Sequence, residues 1–190
     1  TFSKEAYEFV DFLAQAGQTY WQILPLGPTG YGDSPYQSFS TFAGNPYFID
    51  PEELIEKNWI TREDCESYDW GTNASYVDYE KIYLSRFRLL KKAFLNSKIE
   101  NDSNFQEFVK ENEDWLKDYA MYMAIKDSFQ GISWLSWEEE IRIRTEKAMK
   151  AYGEKLKQEI LFYEFQQYLF ATQWKRLKKY ANDKGILIIG

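Results

Sequence analysis

The sequence predicts a piece of an α/β barrel or open α/β sheet that lacks strands at both ends and carries a long helical insertion. Two short apolar segments, residues 19–26 and 186–189, have the composition of parallel strands covered on both faces. Mainly helical periodicity fills the chain between them, and two strands so placed do not make a sheet unaided. The chain also opens on a helix leading into a strand and closes on a strand with no helix after it. It has 190 residues, whereas a complete (β/α)8 barrel takes roughly 250.

The elements follow in order. Ser3 is placed to cap a first helix whose apolar face is Phe9, Val10, Leu13 and Ala14, with Gly17 as its stop. The strand 19–26 comes next, then a Gly/Pro-rich loop to about Asp50. Pro51 opens a short helix, as a first-turn proline does, and residues 59–79 read as polar loop with short turns. Residues 79–94 are helical, with Ile82, Tyr83, Phe87, Leu90 and Phe94 near one face. Ser103-Asn-Phe-Gln106 is a capping-box candidate opening a single helix striped by Phe105, Phe108, Val109, Leu116, Tyr119, Tyr122, Met123 and Phe129. Ser136-Trp-Glu-Glu139 is a second capping box, and Tyr152, Leu156, Ile160, Tyr163, Phe170, Trp174 and Leu177 continue a long helical stretch. Gly185 breaks it before the strand 186–189.

Composition removes whole classes of function. A net charge of −7 argues against nucleic acid, whose phosphates need a basic face. No apolar stretch approaches the roughly 18 residues of a membrane span, and Thr-Phe-Ser-Lys-Glu at the start is no signal-peptide pattern. Cys65 is the only cysteine, so no internal disulfide forms, and an intracellular, cytoplasmic setting fits. Its acidic neighbours raise a thiol pKa and argue against a nucleophile. With no histidine, imidazole bases, Ser-His triads and His-bearing zinc sites drop out together. Catalysis here would rest on carboxylates, Tyr or Lys.

One loop stands apart. All five prolines lie between Pro25 and Pro51, and four of the ten glycines between Gly27 and Gly44. Gly30-Tyr-Gly32-Asp-Ser-Pro35 nearly matches a phosphate-binding turn, but Pro replaces the third Gly, no helix begins there and no Gly-Lys-Ser/Thr appears. Two readings stay open: a rigid connection whose tyrosines cover a barrel end, and a sugar-binding surface. Loops after barrel strands are where such folds place their sites. Flat aromatics suit the C–H faces of a pyranose, and Asp33, Ser34, Gln37 and Asn45 offer hydrogen bonds to its hydroxyls. Pro28 and Pro35 reduce the entropy lost on ordering that surface.

The run Tyr20-Trp-Gln-Ile-Leu-Pro-Leu-Gly-Pro-Thr-Gly-Tyr-Gly-Asp-Ser-Pro-Tyr-Gln-Ser-Phe-Ser40, continuing through Phe42-Ala-Gly-Asn-Pro-Tyr47 to Ile49-Asp50, closely resembles the 4-α-glucanotransferases, the amylomaltases or disproportionating enzymes. The resemblance extends along the chain through Val77-Asp-Tyr79, Asp118-Tyr-Ala120, residues 165–174 and Gly185-Ile-Leu-Ile-Ile-Gly190, with no departure inside 21–50. It implies a (β/α)8 TIM barrel with a large, mostly helical insertion, truncated here at both ends: residues 1–50 as barrel helix, strand and glucan-binding loop, 51–150 as the insertion, and 151–190 as barrel helix and following strand. It also implies transfer of α-1,4-glucan segments to the 4-hydroxyl of an acceptor by a retaining double displacement. An Asp attacks the anomeric carbon, and a Glu protonates the leaving oxygen and then deprotonates the acceptor. No cofactor or metal is needed. The partners are maltooligosaccharides and starch or glycogen fragments.

The family's three catalytic carboxylates match no position of this chain, so the chain alone is expected to be inactive. By matching position, Tyr36 resembles the aromatic packed against the glucose at the cleaved bond, with Ser34 beside it. Tyr31 resembles part of a second glucan contact, and Tyr83 its partner on the insertion, although Tyr83 also fits a core stripe. Asp33 is expected to anchor the turn or a sugar hydroxyl, Gln37 to contact substrate, and Asp50 to start the following helix. The alternatives are a non-catalytic carbohydrate-binding module and a helical interaction scaffold. Two strands with exposed edges also invite self-association.

Overall fold

The chain folds, in a computed structural model that describes every residue except Tyr31 and Ala74, into two compact units. One comprises Thr1–Lys98 with Gln167–Gly190 and the other Ile99–Gln166.

In the first unit, helix α1 (Lys4–Gln15) starts after Ser3, whose hydroxyl turns to the Glu5 carboxylate (2.6 Å) instead of capping the backbone. It ends as the sequence suggests. Gly17, at φ 70°, lets its own N–H reach the Ala14 carbonyl and that of Gln18 reach Leu13. Of the face expected to be buried, Val10 is fully covered but Phe9 is exposed, where it meets Trp21 edge-on.

Strands β1 (Tyr20–Gln22) and β2 (Leu187–Ile189) pair in parallel, with Tyr20 opposite Leu187 and Gln22 opposite Ile189. This corrects the expectation that two such strands form no sheet. They are also shorter and less covered than expected. Pro25 carries no N–H to continue the ladder, whose last bond runs from the Ile23 N–H to the Ile189 carbonyl. Tyr20, Leu187 and Ile189 are each at least half exposed in a sheet that has two strands among the described residues.

Beyond the loop, a 3-10 turn (Pro46–Phe48) is capped by the Asn45 side chain. Helix α2 (Pro51–Glu56) is capped by Asp50, the role expected of it. The stretch expected to be loop holds helix α3 (Arg62–Glu66), built on a reciprocal capping box between Thr61 and Asp64. Helix α4 (Tyr79–Ser97) buries Ser85, Arg86, Leu89, Leu90, Ala93 and Phe94. The Arg86 guanidinium lies over the Trp70 ring and donates to the Ile49 carbonyl (2.8 Å). Burial draws its pKa down to about 10 against the opposing pull of Asp50.

The second unit contains α5 (Ser103–Glu111), α6 (Glu113–Ser128), α7 (Glu139–Arg142) and α8 (Glu146–Lys155). The boundary between units falls inside α9 (Lys157–Asp183), which serves the first unit from Gln167 onward. Neither capping box expected here forms. Asp102, not Ser103, accepts the Phe105 N–H, and no side chain caps α7. The single helix expected across 105–129 breaks at Asn112, whose amide donates back to the Phe108 carbonyl. Ala120, Ala124, Ile125, Trp137, Ile141 and Leu156 form the core of this unit, with Phe129 stacked on Trp137 (5.5 Å). The α9 helix ends at Gly185 (φ 78°), with the same pair of closing bonds as at Gly17. No helix among the described residues is long and apolar enough to cross a membrane.

Candidate functional site

The loop between β1 and the 3-10 turn is tied at several points. Thr29 and Ser38 form an isolated antiparallel bridge, so the chain doubles back on itself across the turn that contains Asp33 and Tyr36. Asp33 adopts a left-handed conformation (φ 53°), which a short polar side chain tolerates best, and its carboxylate accepts the Thr29 hydroxyl (3.3 Å). The Gln37 N–H donates to the Ser34 carbonyl, and the Asn45 N–H to that of Leu26 (2.8 Å).

Where the loop returns, α9 receives it through two glutamines. Gly44 donates its N–H to Gln167 Oε1 (2.8 Å) and accepts from Gln167 Nε2 (3.0 Å). Asp50 does the same with Gln173, at 2.7 and 3.2 Å. Phe170 presses against Gly44, and Phe2 joins Phe48, Phe170 and Trp174 in an aromatic cluster with centroids 5.2 to 5.7 Å apart.

A cavity of about 460 Å³ opens on this framework. Tyr36 and Phe42, both largely exposed, supply its aromatic faces; Ser38, Ser40 and Thr41 supply hydroxyls; Phe170 and Trp174 line it from α9. Its lining contains no carboxylate among the described residues. Flat rings beside hydroxyls suit a ligand with C–H faces and many hydroxyl groups.

Of the residues singled out from sequence, Tyr36 lines the cavity, 74% exposed. Ser34, Asp33 and Gln37 lie on the same turn but outside the lining. Tyr31 lies outside the described residues. Tyr83 is 58% exposed on α4, in a second aromatic group in which it meets Phe87 edge-on (5.4 Å) while Tyr47 contacts Tyr79 and Phe87. Burial, followed by the Asp33 carboxylate and the Tyr83 and Tyr79 phenols, pushes the Tyr47 pKa up to about 12. Sequence reasoning placed Phe170 and Trp174 on a core stripe and did not single out Phe42. The i, i+4 spacing of Phe170 and Trp174 was the available signal for one shared wall.

The helical unit holds a larger cavity of about 960 Å³, floored by Val109, Met121, Met149 and Ile160 under a rim of mixed charges. Glu164 lines it, and burial pushes its carboxyl up to about 7. Among the described residues no aromatic ring lines this cavity. Among the described residues no group of three or more His, Cys, Asp or Glu is disposed to hold a metal ion.

A family profile described as 4-alpha-glucanotransferase matches residues 1–190. The chain is 48% identical over 190 residues to a 4-alpha-glucanotransferase of Clostridium butyricum, covering 100% of the chain and 39% of that protein. It is 44% identical over 191 residues to one of Thermus thermophilus, covering 98% and 37%. An amylomaltase from Streptococcus agalactiae, solved in complex with acarbose, superposes on the whole chain with a TM-score of 0.94 at 43% identity, over 39% of its own length. The chain thus spans about two fifths of the length of these relatives.

Proposed function

The chain belongs to the 4-alpha-glucanotransferase family, and from that premise we propose that it forms one wall of a glucan cleft in a longer enzyme. That enzyme transfers α-1,4-glucan segments to the 4-hydroxyl of an acceptor glucan by a retaining double displacement. The observation that carries this is the cavity beside Tyr36, which joins exposed aromatic faces to hydroxyls and holds no carboxylate. Such a surface binds a sugar and leaves the chemistry to groups elsewhere. The Asp nucleophile and the Glu acid and base are contributed by the part of the longer enzyme that this chain does not span. The acarbose bound by the Streptococcus relative supports a ligand of this kind.

Within the cleft Tyr36 stacks on the glucose nearest the reacting bond, with Ser34 and Gln37 as neighbouring polar contacts and Asp33 holding the turn. Tyr31 and Tyr83 make a second glucan contact further out. The exposure of Tyr83 supports that role over burial in a core. β1 and β2 are adjacent strands of a (β/α)8 barrel whose other elements cover the exposed faces of Tyr20, Leu187 and Ile189. Residues 1–50 and 151–190 belong to that barrel, and 51–150 to a mainly helical insertion.

Titrating maltoheptaose into the chain gives a saturable change in tryptophan fluorescence, while incubation with maltotriose releases neither glucose nor longer oligomers. Absence of binding overturns the glucan wall. Disproportionation by the chain alone overturns the assignment of the chemistry to groups outside it.

A further inference from the structure

Gln167 and Gln173 occupy core positions of α9, each 2% exposed or less, where a helix facing its own core carries apolar side chains. Each gives an acceptor to the N–H and a donor to the carbonyl of one residue of the returning loop, Gln167 to Gly44 and Gln173 to Asp50. This is the exchange that a paired residue makes across an antiparallel ladder, so the two amides stand in for a neighbouring strand. The glutamines are six residues apart on α9, and so are their targets on the loop. The segment 44–50 therefore runs in step with the helix over about 9 Å of its length.

Phe170 sits midway between the two clasps. It lines the cavity and is packed so closely on Gly44 that a Cβ there would fall within 3.0 Å of three ring carbons. Trp174 lines the cavity one turn further on, while residues 41–44 line it from the loop side. The two linings meet where Phe170 packs on Gly44, beside the bonds that Gln167 makes to the same residue.

We propose that Gln167 and Gln173 are positioning residues that fix the width of the cavity in which a glucan ring lies against Tyr36. This rests on the glucan reading above. Neither amide touches the sugar. They act through Gly44 and Asp50, holding the loop so that ligand binding does not have to order it.

Gln167→Glu tests this, because its two protonation states differ in one hydrogen-bonding group. The carboxylate accepts from the Gly44 N–H but faces the Gly44 carbonyl with a second acceptor. The neutral acid restores the donor and thus the native pattern. Tyr36 is the only titratable group in the lining among the described residues; at the second clasp burial raises the Asp50 carboxyl and lowers the nearby Thr1 amine, and the wild-type chain measured alongside removes the contributions of all three.

At 20 °C the variant binds maltoheptaose about tenfold more weakly than wild type at pH 8. It returns to within about twofold of wild type at pH 5, where a buried glutamic acid is protonated. Exchange protection of the Gly44 amide falls and recovers with it. Gln167→Asn, whose amide is one methylene too short to reach Gly44, loses affinity at both pH values, and it serves if Gln167→Glu does not fold at pH 8. A merely structural role lowers the melting temperature of either variant and leaves the affinity of the folded protein at the wild-type value at both pH values; that result overturns the proposal. A wild-type chain that binds no maltoheptaose overturns the glucan reading itself and this inference with it.

Discussion

Replacing Gly44 by alanine puts a methyl group where the Phe170 ring already is. The backbone does not object, since Gly44 is not among the residues at positive φ, and the loss of glycine's freedom in the unfolded chain favours alanine by about 0.4–1 kcal/mol. The cost is steric. The new Cβ falls within 3.0 Å of Cγ, Cδ1 and Cε1 of Phe170, which are atoms of a rigid ring that is itself 9% exposed and held by Phe2. Overpacking of this kind costs about 1–3 kcal/mol. If Gly44 backs away instead, it strains two buried hydrogen bonds to Gln167 worth about 1 kcal/mol each. By either route, less the gain in the unfolded chain, Gly44→Ala is destabilised by about 1–2.5 kcal/mol. Urea unfolding followed by tryptophan fluorescence and by far-ultraviolet circular dichroism measures it, with coincident curves required before one transition is fitted. The Phe170→Ala background makes the test specific. There the methyl meets no ring, so the double mutant is less destabilised than the sum of the singles by about 1–3 kcal/mol. A Gly44→Ala chain within about 0.5 kcal/mol of wild type, or a cycle that is additive, refutes the close approach of loop and helix.

Two further outcomes follow from the same geometry. Glu164 has a folded pKa of about 7 against an ordinary 4.5, so below pH 4.5 it is protonated in both states and contributes nothing. From there to pH 7 the unfolded chain gives up the proton while the folded chain keeps it, and stability falls; above pH 7 the full penalty stands. Allowing for its partial contact with solvent, Glu164→Gln gains about 1–2 kcal/mol in thermal unfolding at pH 8 and nothing at pH 4.5. A gain equal at both pH values refutes the burial of the charge. Tyr36→Ala weakens maltoheptaose binding by about 5- to 30-fold, the equivalent of about 1–2 kcal/mol of lost apolar contact, and leaves the melting temperature in place because the ring is 74% exposed. A fall in stability without loss of affinity assigns Tyr36 to packing instead.

What was legible in the sequence was local. Gly17 and Gly185 announce helix ends because only a residue free to adopt positive φ makes that closure, and Pro51 marks a first turn for an equally local reason. The helix at Arg62–Glu66 was missed because Asp64, in place of the usual Glu or Gln, completes the capping box with Thr61. The break at Asn112 was missed because Val109 and Leu116, seven residues apart, keep the helical period across it, while the side-chain bond to the Phe108 carbonyl at the end of α5 leaves no mark in periodicity. Tyr36, which lines the cavity, was singled out because the motif that carries it is contiguous. The wall facing it was not, because it comes from α9, more than 120 residues further along the chain.

Prolines and glycines alone do not account for the single shape of the loop. Pro28 and Pro35 act on the unfolded chain by removing conformations there, and they cannot choose which folded arrangement is reached. That choice is made by contacts the loop makes elsewhere: the bridge of Thr29 to Ser38, the bond from Asn45 to Leu26, and the paired amides of Gln167 and Gln173. Both contributions are required for a rigid binding surface. Without the prolines the ordered loop is entropically expensive, and without the clasps it is stiff in no particular place. Uncharged amides suit the second task better than ion pairs. A buried charge on α9 would have to be neutralised beside a cavity whose lining holds no carboxylate among the described residues, whereas an amide bonds both backbone groups of its partner and adds no net charge there.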